Sequence, residues 1–255
     1  MQKTLTPAER LIVAADFRPG MVYPLPATEK NCRALMRRKV LSFADSLQGT
    51  GVCIKMNSVL RALGYDLIGE VQSRGLRVFA DLKLFDIGET LATDGMFLKE
   101  EKPYLLTTVC TAGVSAMQAL KAELPDTEVL GVTALTSLKD ADTQTMFTCS
   151  TEEAVMRFSK VAADAGIDGL ISSPKEAEML RARFGVVMSI NTPGIRFSWM
   201  PPVAGDDQNP DRIMTPAKAI KAGVDRIIIG RPIVRAENPR DAVMRTIEEI
   251  ASAIA

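Results

Sequence analysis

Residues 77–83 read RVFADLK, an apolar run that ends in an acid and a base two positions apart. Side chains alternate along a strand, so Asp81 and Lys83 share one face. Seven further runs have the same near-continuous Val- and Ile-rich character: LIVAAD (11–16), GVCIKM (51–56), YLLTTV (104–109), EVLGVTAL (128–135), GLISS (169–173), VVMSIN (186–191) and RIIIG (226–230). Such runs suit strands buried on both faces, as in a parallel sheet. Between them lie amphipathic stretches: NCRALMRRKVLSFADSL, STEEAVMRFSKVAADAG, SPKEAEMLRARFG, TPAKAIKAG and NPRDAVMRTIEEIASAIA. Several open with Ser, Thr or Asn followed by Pro or Glu and close at Gly, the start and stop signals of helices.

Eight β–α units in 255 residues predict an α/β fold, a (β/α)8 TIM barrel built as a single domain over residues 1–255. A doubly wound open sheet is the structural alternative. No GxGxxG follows the first strand, which weighs against it. Two stretches without regular period stand out, residues 17–28 after strand one and 193–214 after strand seven. Loops of the second length are usually functional or disordered, and on a barrel this one sits at the catalytic mouth, where a lid is expected.

Composition narrows the chemistry. Hydrophobic residues make up 47% and charged residues 24%, which suits a folded globular chain. Lysine plus arginine balances aspartate plus glutamate at 31 each, so no bulk positive field exists to hold nucleic acid or an anionic membrane. No run reaches the roughly 20 apolar residues of a membrane span, and MQKTLTPAER lacks the apolar core of an export signal. The four cysteines are far apart, as expected of reduced, buried thiols in a cytoplasmic protein. There is no histidine at all. That excludes Ser–His and Cys–His hydrolases and a conventional zinc site, leaving acid–base work to Lys, Asp, Glu, Tyr or Cys.

A barrel builds its site where its strands end. Strand one is expected to finish with Asp16, strand two with Lys55, and strand three with Asp81 and Lys83, with Asp86 in the next loop. Two readings fit: an ion-pair network that merely closes the rim, or a charged cluster that tunes a lysine as proton donor. After strand eight come Gly230 and Arg231, at the usual phosphate position of this fold. Glycine admits backbone N–H groups and arginine offers a bidentate fork.

These residues, in this order, resemble the orotidine 5′-monophosphate decarboxylase family. Asp81 to Ile87 match its D-x-K-x-x-D-I signature. Asp16, Lys55, Thr136-Ser137, TPGIR (192–196), DDQ (206–208) and GRPI (230–233) follow in sequence along nearly the whole chain. The resemblance implies decarboxylation of orotidine 5′-monophosphate to uridine 5′-monophosphate without metal or organic cofactor. It implies Lys83 as proton donor to C6, Asp81 beside the departing carboxylate, and Lys55 with Asp16 on the ribose hydroxyls and in the charge network. Asp86, Ile87 and Thr90 match positions that meet the substrate of the neighbouring subunit, implying a homodimer with shared sites. Thr136 and Ser137 match the pyrimidine segment. Gln208, Gly230 and Arg231 match the phosphate grip, with Arg196 nearby. Three positions depart from the usual pattern: Phe85 for His, Gly88 for Pro, and Cys110 for a His after strand four. Rival readings from the residues are a sugar-phosphate decarboxylase or aldolase passing through a Mg²⁺-stabilised enediolate, a Schiff base on Lys83, and a barrel that binds nucleotide without turnover.

Overall fold

The computed structural model describes residues 4–22, 29–199 and 214–254. Eight strands follow one another in chain order: β1 (Leu11–Ala14), β2 (Cys53–Met56), β3 (Arg77–Leu84), β4 (Leu105–Val109), β5 (Glu128–Val132), β6 (Gly169–Ile171), β7 (Ser189–Thr192) and β8 (Arg226–Ile229). Each pairs in parallel with its neighbour, and β8 pairs with β1 to close the barrel. The (β/α)8 expectation holds. After each strand comes a principal helix: α1 (Glu29–Ser46), α2 (Asp66–Gln72), α3 (Gly88–Glu101), α4 (Val114–Glu123), α5 (Thr151–Asp164), α6 (Ala177–Phe184), α7 (Pro216–Lys221) and α8 (Pro239–Ile254). Among the described residues no helix is long and apolar enough to cross a membrane.

Burial on both faces explains the unbroken apolar runs. Ile12, Ala14, Cys53, Phe79, Leu105, Leu130, Val132, Ile171 and Ile228 fill the barrel interior. The alternate positions, among them Val13, Ile54, Val78, Ala80, Leu106 and Ile227, pack outward against the helices. Where two elements come too close for a side chain, glycine stands. A Cβ on Gly131 of β5 would lie 2.7 Å from Cys110 Sγ and 2.8 Å from Ile167 Cδ1. The helix starts also follow the sequence signals. Ser150 and Glu153 form a capping box at α5, and Thr215 accepts from the Lys218 amide with Pro216 in the first turn of α7.

The structure corrects the strand ends. Several expected runs are shorter by one to three residues at their C-terminal ends, so Asp16 lies two positions past β1 and Gly230 one past β8. Strand seven shifts most. Val186 and Val187, expected in the strand, are 63% and 86% exposed, and β7 begins only at Ser189. Gly185 ends α6 at φ 56°, and the Val187 amide donates back to Phe184 O (3.3 Å), so the chain is still turning at both valines. Turn geometry overrides valine's β propensity here. Of the two stretches expected to be irregular, the first contains a helical turn at Pro19–Val22, and residues 23–28 lie outside the described residues. Most of the expected lid, 200–213, also lies outside them, with Gln208 in it. Residues 139–150 contain a helix, Asp140–Phe147, seated by the edge-on contact of Phe147 with Phe158 of α5 (4.9 Å).

Candidate active site

The end of β3 is built by a bulge. Ala80 pairs with Leu106 and Leu84 with Thr108, so four residues advance along β3 while β4 advances two. Lys83 takes up the excess at φ 50°, a left-handed conformation that costs a non-glycine residue roughly 1–2 kcal/mol. Two threonines hold it there: the Lys83 amide donates to Thr107 Oγ1 (3.0 Å), and Thr108 Oγ1 donates to Leu84 O (2.9 Å). Asp81 and Lys83 do meet, as strand alternation predicts. The bulge and the left-handed turn bring Lys83 Nζ to within 2.6 Å of Asp81 Oδ1.

Four charges form one chain of contacts. Lys55 Nζ donates to both oxygens of Asp16 (3.1 and 2.8 Å) and to Asp81 Oδ2 (3.0 Å). Asp81 Oδ1 accepts from Lys83 Nζ and from Thr107 Oγ1 (2.9 Å). Asp81 and Lys55 are buried, each only 6% exposed, whereas Lys83 is partly open to the cavity. Burial alone would raise the Asp81 carboxyl, but the flanking Lys55 and Lys83 ammonium groups outweigh it and hold Asp81 well below the usual carboxylate range. Burial likewise opposes the charge on Lys55, and Asp81 with Asp16 overcomes it and raises Lys55. The two buried members of the cluster, Asp81 and Lys55, are thereby held in their charged forms.

Above the cluster opens a cavity of about 320 Å³. Asp16, Lys55, Asp81 and Lys83 line it together with Thr136, Arg196, Gly230 and Arg231, eight of the residues singled out in the sequence. Its apolar wall comes from Phe79, Val132, Ile171 and Ile228. Sequence reasoning missed Arg18, after β1, and Arg235, one helical turn beyond Arg231, both of which line the cavity. It also missed Thr107. A threonine inside the apolar run YLLTTV, on the inward face with Leu105, was the available signal. Among the described lining residues two acids accompany two lysines and four arginines, a composition suited to an anion. Gly230 lies close against β1, with room for a Cβ only 3.4 Å from that of Ala14.

The other expected site residues among the described ones do not line this cavity. Asp86, Ile87 and Thr90 are exposed at the start of α3, and Ser137 is exposed beside Thr136. Asp86 turns one carboxylate oxygen to the Ile87 amide (2.7 Å). The family departures have local explanations. Cys110 is buried with Sγ over the bare Gly131 backbone, Gly88 opens α3 with ordinary clearance, and Phe85 is 64% exposed. A larger cavity, about 540 Å³, lies at the opposite mouth among the strand starts. Two ion pairs stand in it, Arg226 with Glu128 and Lys121 with Asp168 (both 2.7 Å), as expected of the face of a barrel that serves stability.

The sequence profile of the orotidine 5′-phosphate decarboxylase / HUMPS family matches residues 9–246. The chain is 38% identical over 223 residues to orotidine 5′-phosphate decarboxylase of Syntrophus aciditrophicus, covering 83% of this chain and 87% of that one. It is 31% identical over 255 residues to the enzyme of the same name from Saccharophagus degradans, covering 98% and 96%. Among solved structures, orotidine 5′-phosphate decarboxylase from Lactobacillus acidophilus superimposes with a TM-score of 0.73 at 26% identity, over 95% of this chain and 99% of that one.

Proposed function

Because the chain belongs to the orotidine 5′-phosphate decarboxylase / HUMPS family, we propose that it converts orotidine 5′-phosphate to uridine 5′-phosphate in pyrimidine biosynthesis, with Lys83 as proton donor and without metal or organic cofactor. The observation that carries this reading is the Lys55–Asp81–Lys83 chain beneath a cavity rimmed by arginines. The C6–carboxylate bond breaks, CO₂ leaves, and its electron pair stays on C6. The Lys83 ammonium stabilises that charge as it develops and then transfers a proton to C6, after which solvent reprotonates the amine. Asp81, next to the departing carboxylate, orients Lys83, and Lys55 holds Asp81 and Asp16 in place. Thr136 and Ser137 are assigned to the pyrimidine, and Asp16 with Lys55 to the ribose hydroxyls. Arg196, Gln208, Gly230 and Arg231 are assigned to the phosphate, whose binding energy is spent on the distant bond.

The same reading makes the protein a cytoplasmic homodimer in which Asp86, Ile87 and Thr90 complete the neighbour's site. Their position outside this chain's own cavity supports it, as does the apolar surface beside them. Phe85, Ile87, Met96 and Phe97 are each more than half exposed on and before α3. The test is loss of the orotate absorbance when purified protein meets orotidine 5′-phosphate in buffer containing a chelator. Activity is expected there, and Lys83→Ala should lower kcat about 100-fold or more while uridine 5′-phosphate still binds. Activity that requires added Mg²⁺, or a variant retaining over about a tenth of wild-type kcat, overturns the lysine mechanism.

A further inference from the structure

Arg196 reaches the cavity from a segment anchored at its base. Its neighbours in sequence, Ile195 and Phe197, are both buried (0% and 5% exposed), so alternation turns Arg196 the other way, to the cavity. A single parallel bridge joins Ile195 to Met214. The Arg196 amide donates to Met214 O (3.0 Å), and the Met214 amide donates to Gly194 O (3.2 Å). Beyond the bridge the chain is gripped by aromatic contacts. Phe197 and Trp199 stack nearly parallel, 4.4 Å apart at 11°, and the Arg245 guanidinium of α8 lies over the Trp199 ring at 4.2 Å. Trp199 is the only tryptophan in the chain and is half-buried, and Arg245 belongs to a helix none of whose residues lines the cavity.

We propose that Phe197, Trp199 and Arg245 are positioning residues that act through Arg196: their stack clamps the 195–199 segment to α8 and so aims the Arg196 guanidinium at the substrate's phosphate. The inference rests on the phosphate assignment made above for Arg196. A cation over an indole face holds a surface segment with modest but measurable strength, and a fixed backbone loses less freedom when its arginine closes on an anion. A clamp of this kind changes phosphate affinity without touching the chemistry at C6.

Four variants test it: Arg245→Gln, Trp199→Ala, Trp199→Phe and Arg196→Ala, with titrations of uridine 5′-phosphate and uridine beside steady-state kinetics. Arg245→Gln and Trp199→Ala should each weaken uridine 5′-phosphate binding and raise KM about three- to tenfold, with kcat within about twofold and uridine binding unchanged. Trp199→Phe, which preserves an aromatic face, should recover most of the loss. Adding Arg245→Gln to Arg196→Ala should cost nothing further, because the two act through one contact. Equal losses for nucleotide and nucleoside, a full extra loss in the Arg196→Ala background, or no effect of either clamp variant overturns the proposal. Wild-type protein that binds uridine 5′-phosphate no better than uridine also overturns it. Wild-type protein that binds the nucleotide tightly but releases no CO₂ overturns the decarboxylase reading alone.

Discussion

Replacing Lys55 with methionine separates what the charge cluster does for stability from what it does for catalysis. In the wild-type protein Lys55 Nζ bridges Asp16 (2.8 Å) and Asp81 (3.0 Å), and the side chains of Lys55 and Asp81 are only 8% and 9% exposed. Lys55→Met leaves Asp81 buried with one cation where it had two. Removing one partner of a buried pair costs about 3–5 kcal/mol, and Asp81 keeps Lys83 at 2.6 Å and Thr107 at 2.9 Å, so the lower end applies, about 3 kcal/mol. With an unfolding entropy of about 2.1 cal/mol/K per residue, that lowers Tm by roughly 6 °C for a chain of this length. The double variant Lys55→Met/Asp81→Asn removes the unmatched carboxylate, so most of the Tm should return, while kcat stays depressed about 100-fold or more. The pH dependence has a definite sign. Asp81 sits below its unfolded value because of its lysines, so its stabilisation is present above about pH 4 and is lost as pH falls toward the depressed native value. The gap between wild type and Lys55→Met should therefore narrow below about pH 4. Calorimetry at pH 7 and pH 3 with a parallel activity assay checks all three points. A single variant within about 2 °C of wild type at pH 7, or a double variant less stable than the single, would refute the view of Lys55 as the counter-charge that makes a buried Asp81 tolerable.

Arg231→Ala should lower kcat/KM for orotidine 5′-phosphate about 10- to 100-fold and leave the phosphate-free nucleoside nearly unaffected, since a charge-assisted fork is replaced poorly by water. Proportionate losses on both substrates would assign Arg231 to structure instead of phosphate. Mixing inactive Lys83→Ala with inactive Asp86→Asn under verified subunit exchange should restore activity to roughly a quarter of all sites, because one site of each mixed dimer carries neither defect. Absence of recovery would place Asp86 in its own chain's site.

The barrel was legible in the sequence because its signal is local and repeated. Strands buried on both faces must read as apolar runs, helices carry their caps and stops within a few residues, and eight such units in succession leave little choice of architecture. The charged cluster was legible for a related reason: a buried strand tolerates Lys55, Asp81 or Lys83 only at its mouth and only paired, so each stands out in its run. Other features were decided only in three dimensions. Alternation put Asp81 and Lys83 on one face, but the bulge and the left-handed Lys83 that join them depend on Thr107 and Thr108, more than twenty residues away in sequence. Arg18 and Arg235 read as ordinary surface arginines until barrel closure brings the loops after β1 and β8 side by side, and Arg245 reads as one more exposed position on α8 until Trp199 arrives beneath it. Val186 and Val187 carried strand propensity that the turn at Gly185 cancelled. Periodicity records which face of an element is buried, whereas these contacts depend on which distant segment closure of the barrel delivers to that face.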